Sequence, residues 1–313
     1  MEYRDLGAGG PKVSTVALGS MNFGTYVDEA AAGRLLDQAV AAGVNLVDTA
    51  DVYGWGENVG LCEEIIGRHL SARPGRRDEI VLATKLYRGM APWPNNEGLS
   101  ALHLRRGCES SLRRLRTDRI DLLQFHHFDR RVPPEEMWEA VDVLVRQGKV
   151  VHCGSSNFAA WQLVGAQRTA HRHGLDGLVS EQSVYNLLTR FVESDVLPAC
   201  RDLGLGLLVW SPLSDGLLAG APTDGRRSEP RNVAKAARHE PVLARFRSWC
   251  TDHGLRPAEV AIAWLLHQPG VTSVVAGPRT PEQLTSSLSA HVLPLSEPLL
   301  ADLDALFPFS ARS

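Results

Sequence analysis

The sequence predicts a (β/α)8 TIM barrel with an N-terminal β-hairpin and long loops on the face where the strands end. Eight short apolar runs alternate with segments of helical periodicity along 313 residues, a pattern typical of parallel strands joined by helices. The glycine-rich turn at 7–10 leads through Pro11 into another strand rather than a helix, which argues against an open doubly wound sheet. Neither an internal repeat nor a linker is visible, so we expect residues 1–313 to form a single domain.

The elements follow from the periodicity of the apolar residues. The hairpin is expected at 3–6 and 12–14, and Asp28 is placed to cap the first helix. Strands are predicted near 16–19, 45–48, 80–84, 120–125, 150–154, 178–182, 206–210 and 272–276. Helices are predicted near 28–42, 58–71, 99–115, 135–147, 158–173, 193–203, 257–267 and 281–290. The stretch 213–238 is rich in Gly, Pro, Arg and Asp, so we expect a long irregular loop there.

Composition excludes several classes of protein. The chain has 33 basic and 36 acidic residues, a net charge of −3, and no basic run, so nucleic acid and anionic membranes are not expected partners. No apolar stretch reaches the roughly 20 residues that span a bilayer, and the first residues do not resemble a signal peptide. The five cysteines are scattered without a C-x-x-C pair, which favours the cytoplasm and argues against a zinc site.

The residues whose side chains could take part in catalysis lie at or just after the ends of the predicted strands. Only four of the 33 lysine and arginine residues are lysines, and Lys85 ends the apolar run 80–84. Asp48 ends the run before it, and Tyr53 follows five residues later; His126 comes directly after the run 120–125. Strand ends of a barrel converge on one face, which carries the chemistry. We therefore predict that these four side chains meet at the barrel mouth, although each alone would pass for an ordinary cap, surface or strand-end residue.

Two points at the mouth stay open at this level. His126 shares its strand parity with Leu122 and Gln124, whereas His127 has the opposite parity, and alternation alone does not say which set faces inward. We expect His127 at the substrate rim or in a structural role. Three aromatic residues follow the same strands and either wall a substrate pocket or cap the rim: Trp55, Tyr87 and Trp93.

Several ordered motifs resemble those of the aldo-keto reductase superfamily, nearly from end to end and most closely in its channel-β-subunit-like branch. The matching segments are 19–24 (GSMNFG), 48–54 (DTADVYG), 83–85 (ATK), 123–129 (LQFHHFD), 154–158 (GSSNF), 181–186 (EQSVYN), 210–213 (WSPL) and 277–283 (GPRTPEQ). The resemblance implies an NADPH-dependent reduction of a carbonyl to an alcohol.

The resemblance also implies roles for residues. Tyr53 is the expected proton donor, Lys85 is expected to lower its pKa, Asp48 to position Lys85, and His126 to orient the carbonyl. Tyr185 is expected to stack on the nicotinamide. The full set of implied cofactor residues is Ser20, Met21, Asp48, Ser156, Asn157, Gln182, Tyr185, Trp210, Ser211, Pro212, Leu213, Gly277, Arg279, Gln283 and Ser287. Ser286 and Ser287 replace the Glu-Asn pair usual in the family, so Arg279 is expected to compensate by pairing with the 2′-phosphate of NADPH.

The expected substrate is a small carbonyl compound. The run 52–58 (VYGWGEN) is similar to bacterial ketoreductases that act on nucleotide-linked deoxysugars. A general aldehyde or ketone reductase and a non-enzymatic NADP-binding regulatory subunit are the alternatives; the resemblance places Asn in the regulatory branch where this chain has His126. A metal-dependent barrel enzyme would need a cluster of ligands that the sequence lacks beyond His126, His127 and Asp129. Assembly into a homo-oligomer is left open.

Overall fold

A computed structural model of the chain describes residues 1–54, 56–220 and 230–309. The strands are β1 (Tyr3–Asp5), β2 (Lys12–Ser14), β3 (Val16–Gly19), β4 (Leu46–Asp48), β5 (Val81–Leu86), β6 (Ile120–Phe125), β7 (Val150–Ser156), β8 (Leu178–Val184), β9 (Gly206–Trp210) and β10 (Val271–Ala276). β1 and β2 pair as an antiparallel hairpin, and β3 to β10 close into a parallel barrel in chain order. The predicted (β/α)8 barrel with its N-terminal hairpin is confirmed.

Helices follow the barrel strands and cover the outside of the sheet. Their bounds are α1 (Glu29–Ala41), α2 (Leu61–Ser71), α3 (Ala101–Leu115), α4 (Pro134–Arg146), α5 (Ala160–Arg172), α6 (Val196–Asp202), α7 (Pro230–Asp252), α8 (Pro257–Leu266), α9 (Pro281–Ser289) and α10 (Glu297–Leu306). The oxygen of Asp28 accepts a hydrogen bond from the backbone of Ala31 at the start of α1, so the expected cap is present.

The prediction for 213–238 was partly wrong. Helix α7 begins at Pro230, so the irregular segment is shorter than expected; residues 221–229 lie outside the described part of the chain. α7 is rich in polar residues and contains Pro241, which masked its helical period. Leu243, Phe246 and Cys250 nevertheless have the spacing of one helix face and are buried. Helix α10 was not among the predicted helices either.

Alternate side chains of each strand point into the barrel, where they fill its interior and form its mouth. Inward positions in the lower barrel are small or apolar and form one buried cluster with two residues of the hairpin, Leu6 and Val13. The hairpin thus closes the face where the strands begin. On β4, β5 and β6 the residues two positions further along, Asp48, Lys85 and Gln124, point inward at the opposite face. Only that upper face is left for a polar site, and the side chains at the strand ends occupy it.

Candidate active site

Lys85 is the centre of the site at the barrel mouth. It is on the inward face of β5, two residues after the interior Ala83, and its side chain is fully buried. Its Nζ donates to Asp48 Oδ2 at 2.6 Å, to the carbonyl of Thr49 at 3.0 Å and to Tyr53 Oη at 3.2 Å. All three ammonium donors are therefore used. Burial opposes the charge, but Asp48 and Tyr53 outweigh it and raise the pKa of Lys85.

The buried carboxylate of Asp48 is held by two amides as well as by the ammonium. Gln124 Nε2 donates to Asp48 Oδ1 at 3.0 Å and Gln182 Nε2 donates to the same oxygen at 2.8 Å. A buried charge is tolerated when it is paired and hydrogen-bonded in this way. Gln124 was not among the predicted site residues, although a polar residue inside the apolar run of β6, two positions before His126, was an available signal.

Tyr53 reaches Lys85 from the loop that follows β4. The next residue, Gly54, has φ +117°, and a Cβ there would lie 1.9 Å from the carbonyl of Asn58, so the turn requires glycine. Burial raises the pKa of Tyr53, and Asp48 adds to this, while Lys85 lowers it; the net direction is upward. Lys85 thus acts on the pKa of Tyr53 in the expected, downward direction, but burial outweighs the ammonium.

His126 faces the mouth and His127 does not. Gln124 points inward to Asp48, so His126, with the same parity, also points inward, and its ring lies 6.1 Å from that of Tyr53 in an edge arrangement. Burial, with help from Lys85, lowers the pKa of His126 to about 2. Its imidazole is therefore neutral at physiological pH, and among the described residues none hydrogen-bonds its Nδ1.

The rim beside His126 is aromatic. His127 stacks on His126 with ring centroids 5.2 Å apart, and Tyr87 meets His127 edge-on at 5.3 Å. The indole of Trp93 is 73% exposed, so it lies at the surface rather than in a closed pocket wall. Trp55, the third expected rim aromatic, lies outside the described residues.

The ends of β7, β8 and β9 bring a set of amide and aromatic groups to the same mouth. Asn157 Nδ2 donates to the carbonyl of His126, and Trp210 Nε1 donates to Asn157 Oδ1, both at 3.1 Å. Ser156 Oγ donates to the carbonyl of Gln182 at 2.8 Å. The amide of Gln182 uses its nitrogen on Asp48 and Gln124, which leaves its oxygen as an acceptor for a bound group.

Tyr185 is not at the mouth, so its expected stacking on a nicotinamide was wrong. It lies three residues after Gln182, on the opposite side of the chain. Its fully buried ring packs edge-on against Trp264 at 5.4 Å, and its hydroxyl donates to Glu193 at 2.7 Å behind the sheet. The indole of Trp210 is the aromatic ring that lies beside the amide groups at the ends of β7 and β8.

Two further segments frame the mouth. After β9 the backbone has positive φ at Ser211, Ser214 and Asp215, and such turns present backbone N–H groups as anion cradles. The hydroxyl of Ser214 is buried, and no described residue bonds it. These features fit a bound pyrophosphate. Residues 211–213, named from the sequence, lie in this turn, and Ser20, next to the end of β3, donates twice to the carbonyl of Asp48.

The start of α9 forms the other segment. Thr280 caps the helix through Gln283, and Gln283 Oε1 accepts from the backbone of Arg279 at 2.8 Å. Helix N-termini favour anions, so Arg279 and this turn fit a phosphate. Ser287 is less well placed than expected, since it lies on the buried face of α9 with Leu284 and its hydroxyl donates to the carbonyl of Gln283. Met21 and Gly277 lie at the adjoining ends of β3 and β10.

A second acidic group lies buried behind Tyr53. The side chain of Asp51 is 1% exposed, and no described group bonds its Oδ1. Glu63, also buried, accepts from Thr84 at 2.6 Å and from Arg114 at 2.7 Å. Burial, then the neighbouring charge of Glu63, raises the pKa of Asp51 well above its usual range. Asp51 is thus an acid that holds its proton into a higher pH range than an ordinary aspartate.

We expect Asp51→Asn to flatten the pH dependence of stability. The folded protein keeps a proton on Asp51 that the unfolded chain releases above about pH 4, so the free energy of unfolding falls as pH rises, by up to about 1.4 kcal/mol per pH unit. The asparagine variant lacks this loss and gains stability relative to wild type in urea unfolding as pH rises above about 4. Asp118→Asn, at a 91% exposed side chain, is the control. Parallel curves for Asp51→Asn and wild type would contradict the burial argument.

The described residues show features of neither a metal centre nor a membrane span. Among the residues described, no three His, Cys, Asp or Glu side chains are arranged to hold a metal ion. No helix within the described ranges is both long and apolar enough to cross a membrane.

Comparisons with known proteins agree with the geometry of the barrel. The model of the aldo/keto reductase family matches residues 15–307. The chain is 46% identical to the uncharacterized oxidoreductase YrpG of Bacillus subtilis over 316 residues, which cover 98% of this chain and 96% of the relative. It is 34% identical to a probable voltage-gated potassium channel subunit beta of Arabidopsis thaliana, covering 96% and 95%.

A fungal enzyme extends the range of these relatives. The chain is 32% identical to the versiconal hemiacetal acetate reductase of Aspergillus parasiticus over 322 residues, covering 93% of this chain and 92% of the relative. The relatives are thus named for different activities: an oxidoreductase, a channel subunit and a reductase. With the closed barrel and the match over residues 15–307, they show that the chain belongs to the aldo/keto reductase family and is an NAD(P)H-dependent oxidoreductase.

Proposed function

We propose that the protein reduces the carbonyl group of a small molecule with NADPH, and that Asp48, Tyr53, Lys85 and His126 carry the reaction. The observation that supports this most is the hydrogen-bonded chain from Asp48 through Lys85 to Tyr53, 2.6 Å and 3.2 Å long, with a neutral His126 beside it. When bound, NADPH supplies the hydride. The protein then has to supply a proton to the carbonyl oxygen and to hold that oxygen in place.

The states of the two candidate acids assign their roles. His126 stays neutral because of its lowered pKa, so it has no extra proton to give, but an imidazole N–H donates a hydrogen bond to the carbonyl oxygen and orients it. Tyr53 stays protonated because burial raises its pKa, so its phenol holds the proton that the carbonyl oxygen needs. Lys85, 5.0 Å from the centre of the phenol ring, stabilises the phenolate left after transfer, and Asp48 fixes Lys85.

The proposed cofactor contacts follow the mouth residues. Ser156, Asn157 and Gln182 hold the carboxamide, with the indole of Trp210 in the stacking role. The turn at 211–213 and Ser20, Met21 and Gly277 border the path of the pyrophosphate. Arg279 and Gln283 lie at the phosphate end. Ser287 keeps at most a secondary part, given its position on the buried face of α9.

The pH dependence of the two reaction directions tests the role of Tyr53. Reduction needs the phenol, and the raised pKa of Tyr53 keeps it protonated, so kcat for reduction should be flat from pH 6 to 9. Oxidation of the product alcohol needs the phenolate, whose fraction rises about tenfold per pH unit below the pKa. We expect kcat for oxidation to rise accordingly. A titration of the reduction rate near neutral pH would point to a different acid.

We propose that NADPH is preferred over NADH. The guanidinium of Arg279, at the N-terminal turn of α9, suits a 2′-phosphate through charge-assisted hydrogen bonds. We expect NADPH to bind at least about tenfold more tightly, about 1.4 kcal/mol, and Arg279→Ala to remove most of that difference while NADH affinity is unchanged. Fluorescence titration of both cofactors measures this. Arg146→Ala, at a 77% exposed side chain of α4, is the control; an Arg279→Ala variant that keeps the preference would place the phosphate elsewhere.

Within the carbonyl class we propose the keto group of a nucleotide-linked deoxysugar as substrate, on the strength of the run 52–58. The mouth supplies one supporting feature. Arg88 follows β5 at the exposed rim and lies near enough to both histidines for its charge to lower the pKa of His126 and His127, so an anionic substrate group would be attracted. A screen of keto-deoxysugar nucleotides against neutral aldehydes and ketones tests this. Higher kcat/KM on the neutral compounds would favour a general reductase.

A regulatory NADP-binding subunit is the second candidate, since the chain is 34% identical to probable potassium channel beta subunits. Absence of turnover with every carbonyl compound, combined with tight NADPH binding, would favour it.

The state of the cysteines bears on where the protein works. All five cysteines are free and buried, which supports our proposal that the protein works in the cytoplasm.

A further inference from the structure

A second cavity lies outside the barrel, between α4 and α5 and the loop after β6. Its volume is about 220 Å³, below the roughly 300–1,000 Å³ of sites for drug-sized ligands. Its walls are mainly apolar and aromatic, including Phe128, Val132, Met137, Phe158 and Trp161. We call it the α4–α5 pocket. Phe128 meets the rings of Phe158 and Trp161 edge-on at 5.3 and 5.5 Å, so the wall presents ring edges and faces to an occupant.

Gly165 keeps this pocket open. It is inside α5 and has an ordinary helical backbone, and a Cβ at its position would meet no atom within 4 Å. Glycine in the middle of a helix destabilises it relative to alanine, and neither the backbone nor a close neighbour requires glycine here. Glycine therefore lowers the stability of α5 at this position. It also leaves open space along the pocket wall.

The rim of the pocket is cationic. Arg168 and Arg172 line it from the exposed face of α5. Neither forms a salt bridge with a carboxylate of the described residues, and Arg172 Nε donates to the carbonyl of Arg168 at 3.4 Å. Arg130 lies over the ring of Trp161 at 5.9 Å. The acid in the lining, Asp129, is already paired with Arg131 at 3.2 Å and accepts from the backbone of Leu99. The local field at the rim is therefore positive.

We propose that the α4–α5 pocket is a binding site for a small aromatic carboxylate of one or two fused rings. The ring system would lie against Phe128, Phe158 and Trp161, where edge-to-face contacts are favourable. The carboxylate would pair with Arg168 and Arg172, whose guanidinium groups match its geometry. This site is separate from the barrel mouth, and its occupancy does not depend on the reaction proposed above.

Calorimetric titration of the protein with 2-naphthoate, with NADPH present, tests the proposal. This probe has no reducible carbonyl. We expect saturable binding that weakens at least tenfold in Gly165→Phe, which fills the pocket from α5. Val164→Phe is the matched control, because Val164 is the neighbouring exposed residue of α5 and is not part of the lining; its affinity should equal that of wild type.

The charged rim is tested separately. The double variant Arg168→Ala/Arg172→Ala should bind 2-naphthoate at least tenfold more weakly than wild type. Its thermal unfolding temperature should match that of the control variant Val164→Phe. The neutral 2-naphthamide should bind wild type more weakly than 2-naphthoate does. Retained affinity in Gly165→Phe, or competition between 2-naphthoate and a carbonyl substrate, would place the probe at the barrel mouth and overturn the proposal. So would sedimentation showing a dimer that Gly165→Phe dissociates, because a second copy would then occupy the pocket.

Discussion

Tyr53→Phe is expected to lower kcat by at least about 10²-fold, and up to about 10⁴-fold, while NADPH binds as in wild type. The substitution removes the proton donor and leaves the ring in place, 6.1 Å from that of His126. Single-turnover reduction of a reactive aldehyde measures the chemical step, and fluorescence titration measures cofactor affinity. A variant that keeps more than a few per cent of wild-type kcat would remove Tyr53 from the role of acid.

Tyr185→Phe is the matched control for that experiment. It removes a phenol hydroxyl too, but one that donates to Glu193 behind the sheet at 2.7 Å. We expect kcat close to wild type and a loss of about 1.5–3 kcal/mol in the free energy of unfolding, the usual net range for a hydrogen bond to a charged group. The pair of variants separates the loss of a hydroxyl as such from the loss of the hydroxyl at the mouth.

Lys85→Met is expected to affect both activity and stability. Without the ammonium nothing offsets burial at Tyr53, so the pKa of its phenol rises further and proton transfer to the carbonyl oxygen slows; we expect kcat to fall at least about 10²-fold. The buried carboxylate of Asp48 loses its ion pair, a change that costs about 3–5 kcal/mol at buried sites. The amides of Gln124 and Gln182 remain bonded to it, which places the expected loss near 3 kcal/mol. Urea unfolding at pH 7 measures it.

A double variant shows whether the uncompensated charge is the cause. In Asp48→Asn/Lys85→Met the asparagine oxygen still accepts from both glutamines, but no buried charge remains. We expect this protein to regain most of the stability lost in Lys85→Met and to stay inactive. If the double variant were as unstable as the single one, the loss of stability would come from packing around the methionine and not from the unpaired, buried carboxylate of Asp48.

The barrel and its four central residues were accessible from sequence for one physical reason. Strand ends in a parallel barrel meet on one face, so Asp48, Lys85 and His126 did not need to be located individually in space. The hydrogen bonds of Lys85 to Asp48 and Tyr53 then follow from reach alone. Alternation alone could not choose between His126 and His127, because it fixes only their relative direction. The resemblance chose His126, and the contact of Gln124 with Asp48, which shows that this parity faces inward, agrees with that choice.

Three other features needed coordinates. The side of Tyr185 follows from its odd spacing to Gln182, yet that inference needs the exact point where β8 ends, which the apolar pattern does not define. Helix α7 was hidden by polar composition and Pro241, since burial of three apolar residues, rather than helix propensity, stabilises it. The sign of the shift at Tyr53 depends on the balance between burial and one ammonium, and burial is a property of the packed molecule alone.

The scarcity of lysine has a practical consequence for attaching the protein to surfaces and dyes. Lys85 is fully buried and out of reach of amine-reactive esters. Lys12 has a side chain that is 71% exposed, against 29% for Lys149 and 33% for Lys235, so it is the foremost target. It is on β2 of the hairpin that closes the opposite end of the barrel from the mouth. A tether formed there would hold the molecule with its catalytic face turned toward solution.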